Sequence, residues 1–465
     1  MKSDNGRILH VLVALSLLFL SLIGYLLCFP LFWSGDYTDS VYDPRTRAEE
    51  ERILRGSFYD RKGMRLAYSE RAEDGIQVRK YPHGNSYAHV IGYCSPIYGR
   101  SGIELIYNAE LAGKSFFSNP FSDADTEPMY GADVYTTLDH RLQEKAETLL
   151  RGKEGAIVVI DPKSGAVRAM VSAPSFSPVS KDLEENWGTL CTDSTSPLLN
   201  RAVQGKYAPG SVFKIITLSG AIEGGMEGEL FEDTGVYTAN GKEIRNAGNK
   251  IYGTLTLKDA FARSANTVFA DIAVRLGEDN MKKLSRRFGL DSDFPLEIPT
   301  AISSGGENLS DPASLAAFGI GQDTLSVTPL FLASVAGAVA NDGVMMTPYI
   351  TDQITVRGFS VMRHSAKAHQ TVMKESTART IREYMRAVVE NGTGTSANSK
   401  YAVVYGKTGT AENETEKTHA WFVGFAEKEN KESIAFAVLW AYSGKTGGDV
   451  CAPMAKELVD TWFLE

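Results

Sequence analysis

An uncharged apolar run near the N-terminus constrains the topology of this chain more than any other feature. Residues 11–29 carry no charged side chain. At about 1.5 Å of helical rise per residue the run spans roughly 28 Å, close to the hydrocarbon thickness of a membrane. It is longer than the core of a usual signal peptide, and no small-residue cleavage site follows it. The sequence therefore predicts a retained transmembrane helix, with a cleaved signal as the alternative.

The charges beside this run predict its orientation. Lys2 and Arg7 precede the run, whereas Asp36, Asp39 and Asp43 follow it. Positively charged residues that flank a span tend to stay in the cytoplasm. We therefore expect a cytoplasmic tail at residues 1–10, an anchor at residues 11–33, and the rest of the chain outside the cytoplasm.

Composition excludes several classes of protein. A hydrophobic fraction of 43% in 465 residues is enough for a sizeable core, and the net charge of -9 argues against a nucleic-acid surface. The four cysteines, Cys28, Cys94, Cys191 and Cys451, show no metal-ligand spacing. We predict no nucleic-acid partner, no metal, no cofactor and no essential disulfide.

The region after the anchor, residues 34–152, is polar and rich in turn residues. Its patterns predict a strand and turn at 55–63, a strand at 88–93, and a helix that Ser101 caps with Glu104 three residues later. A solvated face explains most of the charges at 45–55. Because this region holds no catalytic constellation, we predict a pedestal or dimerisation-like domain.

Residues 153–465 show the alternation of strand and helix patterns that is typical of a mixed α/β domain. The first two strands flank a short turn and predict a hairpin, and the helix patterns include a helical insertion. The expected strands lie at 156–160, 166–171, 401–405, 420–425 and 434–440, and two prominent helix patterns lie at 257–276 and 327–340.

Ser211 and Lys214 form a candidate nucleophile and base. The turn Ala208-Pro-Gly precedes them and an apolar helix follows, so the two side chains lie three residues apart on one helix face. A lysine activates a serine hydroxyl only when its surroundings hold it neutral. The neighbours Phe213 and Ile215 predict such a buried site, although a chance pair on a surface helix also fits the motif alone.

Two further short motifs complete the candidate site. Ser264-Ala-Asn266 lies within the helix pattern at 258–273, while the similar triplet at 396–398 lies in a loop. Lys407-Thr408-Gly409-Thr410 directly follows a strand, whereas the similar triplets at 163–165 and 445–447 lie in a turn and a loop. A glycine in such a strand lets a substrate backbone approach and pair as an added strand.

Taken in order, Ser211-x-x-Lys214, Ser264-x-Asn266 and Lys407-Thr-Gly409 resemble the signature of penicillin-binding proteins and serine β-lactamases. Further segments resemble class B penicillin-binding proteins, so the likeness covers nearly the whole chain: 55–63, 99–113, 155–178, 206–214, 406–412 and 419–424. This resemblance implies a single-span bacterial membrane protein with a small pedestal. It also implies an extracytoplasmic D,D-transpeptidase domain, built as an antiparallel sheet flanked by helices plus a helical subdomain. One departure is Asp323, where similar proteins usually carry glycine.

The resemblance implies a role for each residue of the first two motifs. Ser211 attacks the carbonyl of the penultimate D-alanine of a stem peptide, and Lys214 accepts its proton. Ser264 relays a proton between the leaving amine and the lysines. Asn266 orients Lys214 and the substrate amide.

The third motif implies the substrate contacts. Lys407 and Thr408 hold the terminal carboxylate, Gly409 admits the substrate backbone, and the backbone N–H groups of Ser211 and Thr410 stabilise the oxyanion. His419 is expected to be a packed structural residue.

The resemblance also implies partners and leaves alternatives open. Expected partners are stem peptides ending in D-Ala-D-Ala, an acceptor amine, β-lactams as covalent inhibitors, and a polytopic membrane glycan polymerase. A carboxypeptidase or β-lactamase would use the same serine but pass the acyl group to water. The deacylation motif Glu-x-x-Leu-Asn is absent between residues 211 and 407, which argues against fast penicillin hydrolysis. A membrane-anchored D,D-carboxypeptidase and a catalytically silent penicillin-binding scaffold therefore remain the alternatives.

Overall fold

The computed structural model describes residues 2–32, 53–73, 75–113, 130–306, 309–413 and 417–464. Its N-terminal helix, Lys2–Phe32, contains the predicted anchor run. Within the described residues, the segment Ile8–Tyr25 of this helix is the one that is long and apolar enough to cross a membrane, and no other described residue covers it. The aspartates at 36, 39 and 43 and the charges at 45–52 lie outside the described residues.

The described helices are numbered in chain order. They are α1 (Lys2–Phe32), α2 (Gly102–Ile106), α3 (Asn108–Leu111), α4 (His140–Leu150), α5 (Ser180–Thr192), α6 (Lys214–Glu223), α7 (Leu257–Ala262), α8 (Asn266–Leu276), α9 (Glu278–Arg287), α10 (Pro312–Gly319), α11 (Pro329–Ala340), α12 (Glu375–Asn391) and α13 (Gly447–Phe463). Short 3-10 helices lie at Gly84–Tyr87, Gly210–Phe213, Ala247–Asn249 and Thr395–Ala397.

The described strands are numbered in the same way. They are β1 (Phe58–Tyr59), β2 (Arg65–Arg71), β3 (Gln77–Lys80), β4 (Cys94–Ser95), β5 (Gly99–Arg100), β6 (Asp133–Thr136), β7 (Gly155–Ile160), β8 (Val167–Ala173), β9 (Leu230–Asp233), β10 (Val236–Ala239), β11 (Lys242–Arg245), β12 (Gly253–Thr256), β13 (Val344–Met346), β14 (Thr351–Val356), β15 (Phe359–Arg363), β16 (Ala368–Thr371), β17 (Val403–Ala411), β18 (His419–Glu427) and β19 (Ile434–Trp440).

A five-stranded antiparallel sheet in the order β17-β18-β19-β7-β8 forms the centre of the larger region. The predicted hairpin is confirmed as β7–β8. Alternate side chains enter two apolar layers, so Val158 joins a cluster with α11 while Val159 joins a cluster with α4 and α13. Because helices cover both faces, the central strands β7 and β19 are apolar along their whole length.

A second sheet joins both regions of the chain. Its order is β15-β14-β6-β1-β2-β3, and β14 pairs antiparallel with β6. The hairpin β14–β15 comes from the expected α/β domain, whereas β6 and β1–β3 come from the expected pedestal. The domain bounds 34–152 and 153–465 stay a prediction, and the two regions share main-chain hydrogen bonds across that boundary.

The strand predicted at residues 88–93 is wrong. This segment follows the 3-10 helix Gly84–Tyr87 and continues in turns, with the Ile91 N–H donating to the Tyr87 carbonyl at 2.8 Å. Val90 and Ile91 are both fully buried. Consecutive buried residues cannot belong to a strand with one solvated face, so the helical turn is the conformation that buries them together.

The capping role predicted for Glu104 is also wrong. Its side chain is fully buried and pairs with Arg55 and Arg79, each at 2.7 Å, and those two arginine side chains are each 6% exposed. Arg55 therefore does not belong to a solvated face. Burial alone raises the pKa of a carboxyl group, but Arg79 and Arg55 hold the pKa of Glu104 below its usual value.

Candidate active site

The turn before Ser211 fixes the nucleophile between a helix and the edge strand of the central sheet. Gly210 has φ +55°, and its N–H donates to the Gly321 carbonyl at 2.8 Å. A Cβ at this position would lie 2.7 Å from the Thr410 carbonyl oxygen, which no side chain tolerates. The 3-10 helix Gly210–Phe213 then runs into α6, so Ser211 lies at the start of a helix, as predicted.

Lys214 is the first residue of α6 and is completely buried. Its Nζ donates to the Ser264 carbonyl oxygen at 2.9 Å, the Ser264 Oγ at 3.3 Å and the Asn266 Oδ1 at 2.7 Å. Within the described part of the chain, none of its hydrogen bonds reaches the Ser211 hydroxyl. Burial, and then the charge of Lys407, lower the pKa of Lys214 well below its ordinary value, as the chemistry of a lysine base requires.

Lys407 is also completely buried and approaches the same hydroxyl from β17. Its Nζ donates to the Ser264 Oγ at 2.8 Å and to the Thr408 carbonyl oxygen at 3.1 Å. Burial lowers the pKa of Lys407 to about 7. One hydroxyl oxygen therefore accepts hydrogen bonds from two lysines.

Ser264 lies in a break between two helices, whereas the sequence pattern predicted one continuous helix. It has φ +60°, and α7 ends at Ala262 while α8 begins at Asn266. The pattern continues across the break because both helices bury apolar residues in one layer. The left-handed conformation reverses the chain locally, so that the Ser264 carbonyl and hydroxyl both face Lys214.

Asn266 connects Lys214 to a polar support that the sequence analysis missed. Its N–H donates to Asn246 Oδ1 at 2.7 Å and its Nδ2 donates to the Arg245 carbonyl at 2.8 Å. Asn246 in turn donates to the buried Asp233 at 2.8 Å. These supports come from small hairpins that carry no recognisable motif, so only their buried polar character could have indicated a role.

The Lys407-Thr-Gly-Thr motif lies inside β17 rather than after a strand. Because side chains alternate along a strand, Lys407 and Thr408 lie on opposite faces. Thr408 Oγ1 contacts Thr393 Oγ1 at 2.5 Å, and Thr410 Oγ1 accepts from the Gly447 N–H at 3.3 Å. The hydroxyls of Thr408 and Thr410 thus share one face, and the buried ammonium of Lys407 does not join them.

Gly409 is needed for packing against the nucleophile turn. A Cβ there would lie 2.9 Å from the Pro209 carbonyl oxygen and 2.9 Å from a Val212 methyl group. From the sequence, this glycine is expected to let a substrate backbone approach. In the structure its absent side chain lets β17 approach the turn that carries Ser211.

His419 and Asp323 occupy positions beside the site. His419 is 4% exposed, its Nδ1 accepts from the Tyr442 N–H at 3.2 Å, and burial lowers its pKa to about 4. It is therefore a neutral packed residue. Asp323 is exposed and has φ +67°, a conformation that aspartate tolerates better than most residues, so the departure from glycine preserves the loop backbone.

The three motifs and the similar triplets lie in different places. Lys214, Ser264, Asn266 and Lys407 come together from three distant parts of the chain, and Ser211 lies one helical turn before Lys214. The triplet at 396–398 includes the end of the 3-10 helix Thr395–Ala397, the one at 163–165 lies in the β7–β8 turn, and the one at 445–447 leads into α13.

Comparison with known proteins finds relatives of both regions. Residues 155–460 match the model of the penicillin binding protein transpeptidase domain, and residues 55–129 match the penicillin binding protein A dimerisation domain. The peptidoglycan D,D-transpeptidase PbpA of Mycolicibacterium smegmatis is 32% identical over 373 residues, which cover 75% of this chain and 75% of that protein.

Two solved structures share the fold. Penicillin-binding protein A from M. tuberculosis, solved as a ceftriaxone acyl-enzyme complex, has a TM-score of 0.84 at 28% identity and covers 89% of this chain and 99% of its own. The D,D-transpeptidase domain of a peptidoglycan glycosyltransferase from Eggerthella lenta has a TM-score of 0.79 at 33% identity. The match covers 88% of this chain and 98% of that structure. The likeness therefore includes the central sheet, the helical subdomain and much of the N-terminal region.

Proposed function

The chain belongs to the penicillin-binding protein transpeptidase family, and we propose that it cross-links peptidoglycan stem peptides through an acyl-enzyme on Ser211. The resemblance stated from the sequence is confirmed. The protein is a serine-type D,D-transpeptidase of peptidoglycan synthesis and a target of β-lactams. One observation supports this chemistry above the others: beside Ser211, two buried lysines share the Ser264 hydroxyl with no carboxylate contacting either amine among the described residues.

Acylation begins when Ser211 Oγ attacks the carbonyl carbon of the penultimate D-alanine. Lys214 Nζ takes the hydroxyl proton after leaving one of its acceptors around Ser264 and Asn266, a shift of the kind that substrate binding brings about. The backbone N–H groups of Ser211 and Thr410 stabilise the oxyanion, whose donors are each worth a hundredfold or more in rate. The amide C–N bond then breaks and an ester forms on Ser211.

Ser264 completes the proton transfer to the leaving group. Its hydroxyl proton passes to the amine of the departing D-alanine, and the lysines that donate to Ser264 replace that proton. Thr408 and Thr410, whose hydroxyls share one face of β17, bind the terminal carboxylate of the donor. Lys407 acts through the Ser264 hydroxyl, to which its Nζ donates at 2.8 Å, rather than by direct contact with the carboxylate.

Deacylation repeats these steps with an acceptor amine. The amine attacks the ester carbonyl, gives a proton to the Ser264 and lysine unit, and displaces Ser211, which regains its proton. A β-lactam also forms an ester on Ser211 when its ring C–N bond breaks, but the released amine stays attached to the acyl group and does not leave the site. The ester then persists, because water is a poor replacement for the acceptor.

We infer a membrane arrangement from the charges and from α1. Lys2 and Arg7 lie before the apolar segment, which favours a cytoplasmic N-terminus and a single crossing, with the catalytic region outside. The uncovered apolar surface of Ile8–Tyr25 supports contact with lipid. A polytopic membrane glycan polymerase is the proposed partner at the anchor and the six-stranded sheet.

The experiment uses the full-length protein in detergent with a fluorescent penicillin. We expect one covalent label per chain, located on Ser211 by intact mass and peptide mapping, and no label on Ser211→Ala. The labelled form should persist, and lipid-linked glycan should then yield cross-linked product with the unmodified protein only. Rapid loss of free penicillin without a stable adduct would contradict the transpeptidase, as would cross-linking that survives Ser211→Ala.

A further inference from the structure

A cleft of about 510 Å³ lies at one end of the central sheet and contains none of the proposed catalytic residues. Its walls come from the end of α4, the end of β8, the end of β19 and the turn that contains Ser86. Arg151, Lys153, Lys417, Trp440 and Tyr442 contribute its charged and aromatic lining. The cleft is thus built jointly by the central sheet and the N-terminal region.

The cleft carries more positive than negative charge. Arg151, Lys153 and Lys417 line it together with Glu147 and Glu154, and Glu154 pairs with Arg201 at 3.4 Å. Lys153 Nζ donates to the Leu149 carbonyl at 2.7 Å and lies 5.1 Å from the Trp440 ring, and neither it nor Arg151 has a carboxylate partner in the described part of the chain. In a chain of net charge -9, this concave surface favours an anionic group.

Strand register places the cleft at the same end of the sheet as the end of β17. Ala411 pairs with His419, Ala420 pairs with Trp440, and Trp440 pairs with Gly155. The ends of these strands therefore lie side by side. Two strand spacings separate β17 from β19, a distance of roughly 10 Å.

The proposed function sets the direction of a bound donor along β17. The carboxylate lies at Thr408 and Thr410, and the scissile carbonyl lies at the Thr410 N–H. The preceding residues of the donor must then continue past Ala411, toward Lys417 and Tyr442 at the rim of the cleft. A segment of about three extended residues covers the remaining distance.

We propose that this cleft binds a carboxylate-bearing part of the donor stem peptide upstream of D-Ala-D-Ala. The inference rests on the proposed function. Arg151 and Lys153 bind the carboxylate, while Tyr442, which is 40% exposed, supplies an apolar wall beside it. Penicillin carries no such segment, so its reaction with Ser211 does not depend on the cleft.

The test is competition against fluorescent penicillin on the full-length protein in detergent. Two soluble stem peptides ending in D-Ala-D-Ala differ only in one upstream glutamyl group, which is a carboxylate in the first and a carboxamide in the second. Because a charge-assisted hydrogen bond is worth about tenfold in affinity, we expect the carboxylate peptide to half-inhibit labelling at roughly tenfold lower concentration. In Arg151→Gln/Lys153→Met the two peptides should become equal.

Two controls keep the result interpretable. The double variant Arg379→Gln/Lys283→Met removes the same charge from exposed positions on α12 and α9, and should retain the tenfold preference. Arg151→Gln alone removes an exposed side chain and should reduce the preference without affecting folding. Penicillin labelling without peptide should match the wild-type rate in every variant.

Each outcome bears on a different part of the argument. Equal inhibition by both peptides in the wild-type protein, or an undiminished preference in Arg151→Gln/Lys153→Met, would overturn the subsite while the penicillin adduct still supports the proposed function. Absence of any adduct on Ser211 would overturn the proposed function and this inference with it.

Discussion

Two clusters of buried cations in this protein have opposite kinds of partner. At Glu104, two arginines meet a carboxylate at 2.7 Å each. At Ser264, two lysines donate to one neutral hydroxyl at 2.8 and 3.3 Å. The pKa of Glu104 is lowered and its charge is retained, whereas burial lowers the pKa of both lysines. The partner, rather than the depth of burial, decides whether a buried group stays ionised.

The two clusters also serve different purposes. The carboxylate at Glu104 makes hydrogen bonds to residues from β3 and from the segment before β1, which stabilises the N-terminal region. The hydroxyl of Ser264 offers no compensating charge. Protonation of either lysine therefore carries the free-energy cost of burying an ammonium group. This cost is what makes an amine available as a base near neutral pH.

The largest expected effect comes from removing a lysine of the Ser264 cluster. Lys214→Met should lower the rate of penicillin acylation by about a thousandfold, because the proton acceptor is lost. Thermal unfolding should occur at an unchanged or higher temperature, since an apolar chain replaces a buried amine. Stopped-flow labelling and calorimetry measure the two quantities, with Lys283→Met on the exposed face of α9 as the control. An acylation rate within tenfold of wild type would contradict the assignment of Lys214.

Removing the carboxylate of the other cluster should affect stability instead. Glu104→Gln leaves two buried guanidinium groups without a counter-charge and should lower the free energy of unfolding by about 3–5 kcal/mol. Urea unfolding gives this value. The folded fraction should still react with penicillin at the wild-type rate. A loss of acylation at full stability would mean that this cluster acts on the catalytic site, and the contrast between the clusters would fail.

Alkaline pH should separate the clusters further. The pKa of Lys407 is about 7 in the folded protein and higher when unfolded, so the unfolded chain binds more protons between these values. Relative to Lys407→Met, the free energy of unfolding of the wild type should therefore rise by about 1.4 kcal/mol per pH unit from pH 7 toward pH 10. Glu104 adds nothing in this range, because its lowered pKa means that its contribution is lost only on acidification. Parallel curves for wild type and Lys407→Met would show that the lysine is not neutralised by folding.

The smallest effect is expected at an exposed ion pair. Glu375 and Arg379 lie one turn apart on α12, with 58% and 69% of their side chains exposed. Glu375→Gln should change the free energy of unfolding by less than about 0.5 kcal/mol. The same urea titration that is applied to Glu104→Gln measures it. If Glu375→Gln lowered the free energy of unfolding as much as Glu104→Gln, burial could not explain the loss of stability at Glu104.

Much of the candidate site could be predicted from local sequence. Ser211 and Lys214 are three residues apart at a turn with proline and glycine, and that spacing alone brings them to one helix face. The hairpin β7–β8 follows equally directly from two apolar runs and a turn. The anchor follows from the length of an uncharged run.

Other features depend on contacts that no local pattern contains. Ser264 takes a left-handed conformation in the middle of a helical pattern, and its hydroxyl there accepts hydrogen bonds from Lys214 and Lys407. Glu104 looked like a capping residue until the fold placed Arg55 and Arg79 beside it. The hairpin β14–β15 extends the sheet of the N-terminal region, a pairing that the order of elements does not reveal.

The sequence by itself determined the apolar N-terminal run, the order of the three motifs and the identity of the candidate reacting groups, because these depend on composition and short spacings. Tertiary structure alone decided that Lys214, Ser264 and Lys407 meet, since 50 and 143 residues separate Ser264 from the two lysines. It also decided their protonation. A lysine loses its proton near neutral pH only when several distant elements close around it and exclude water, and that environment exists only in the folded chain.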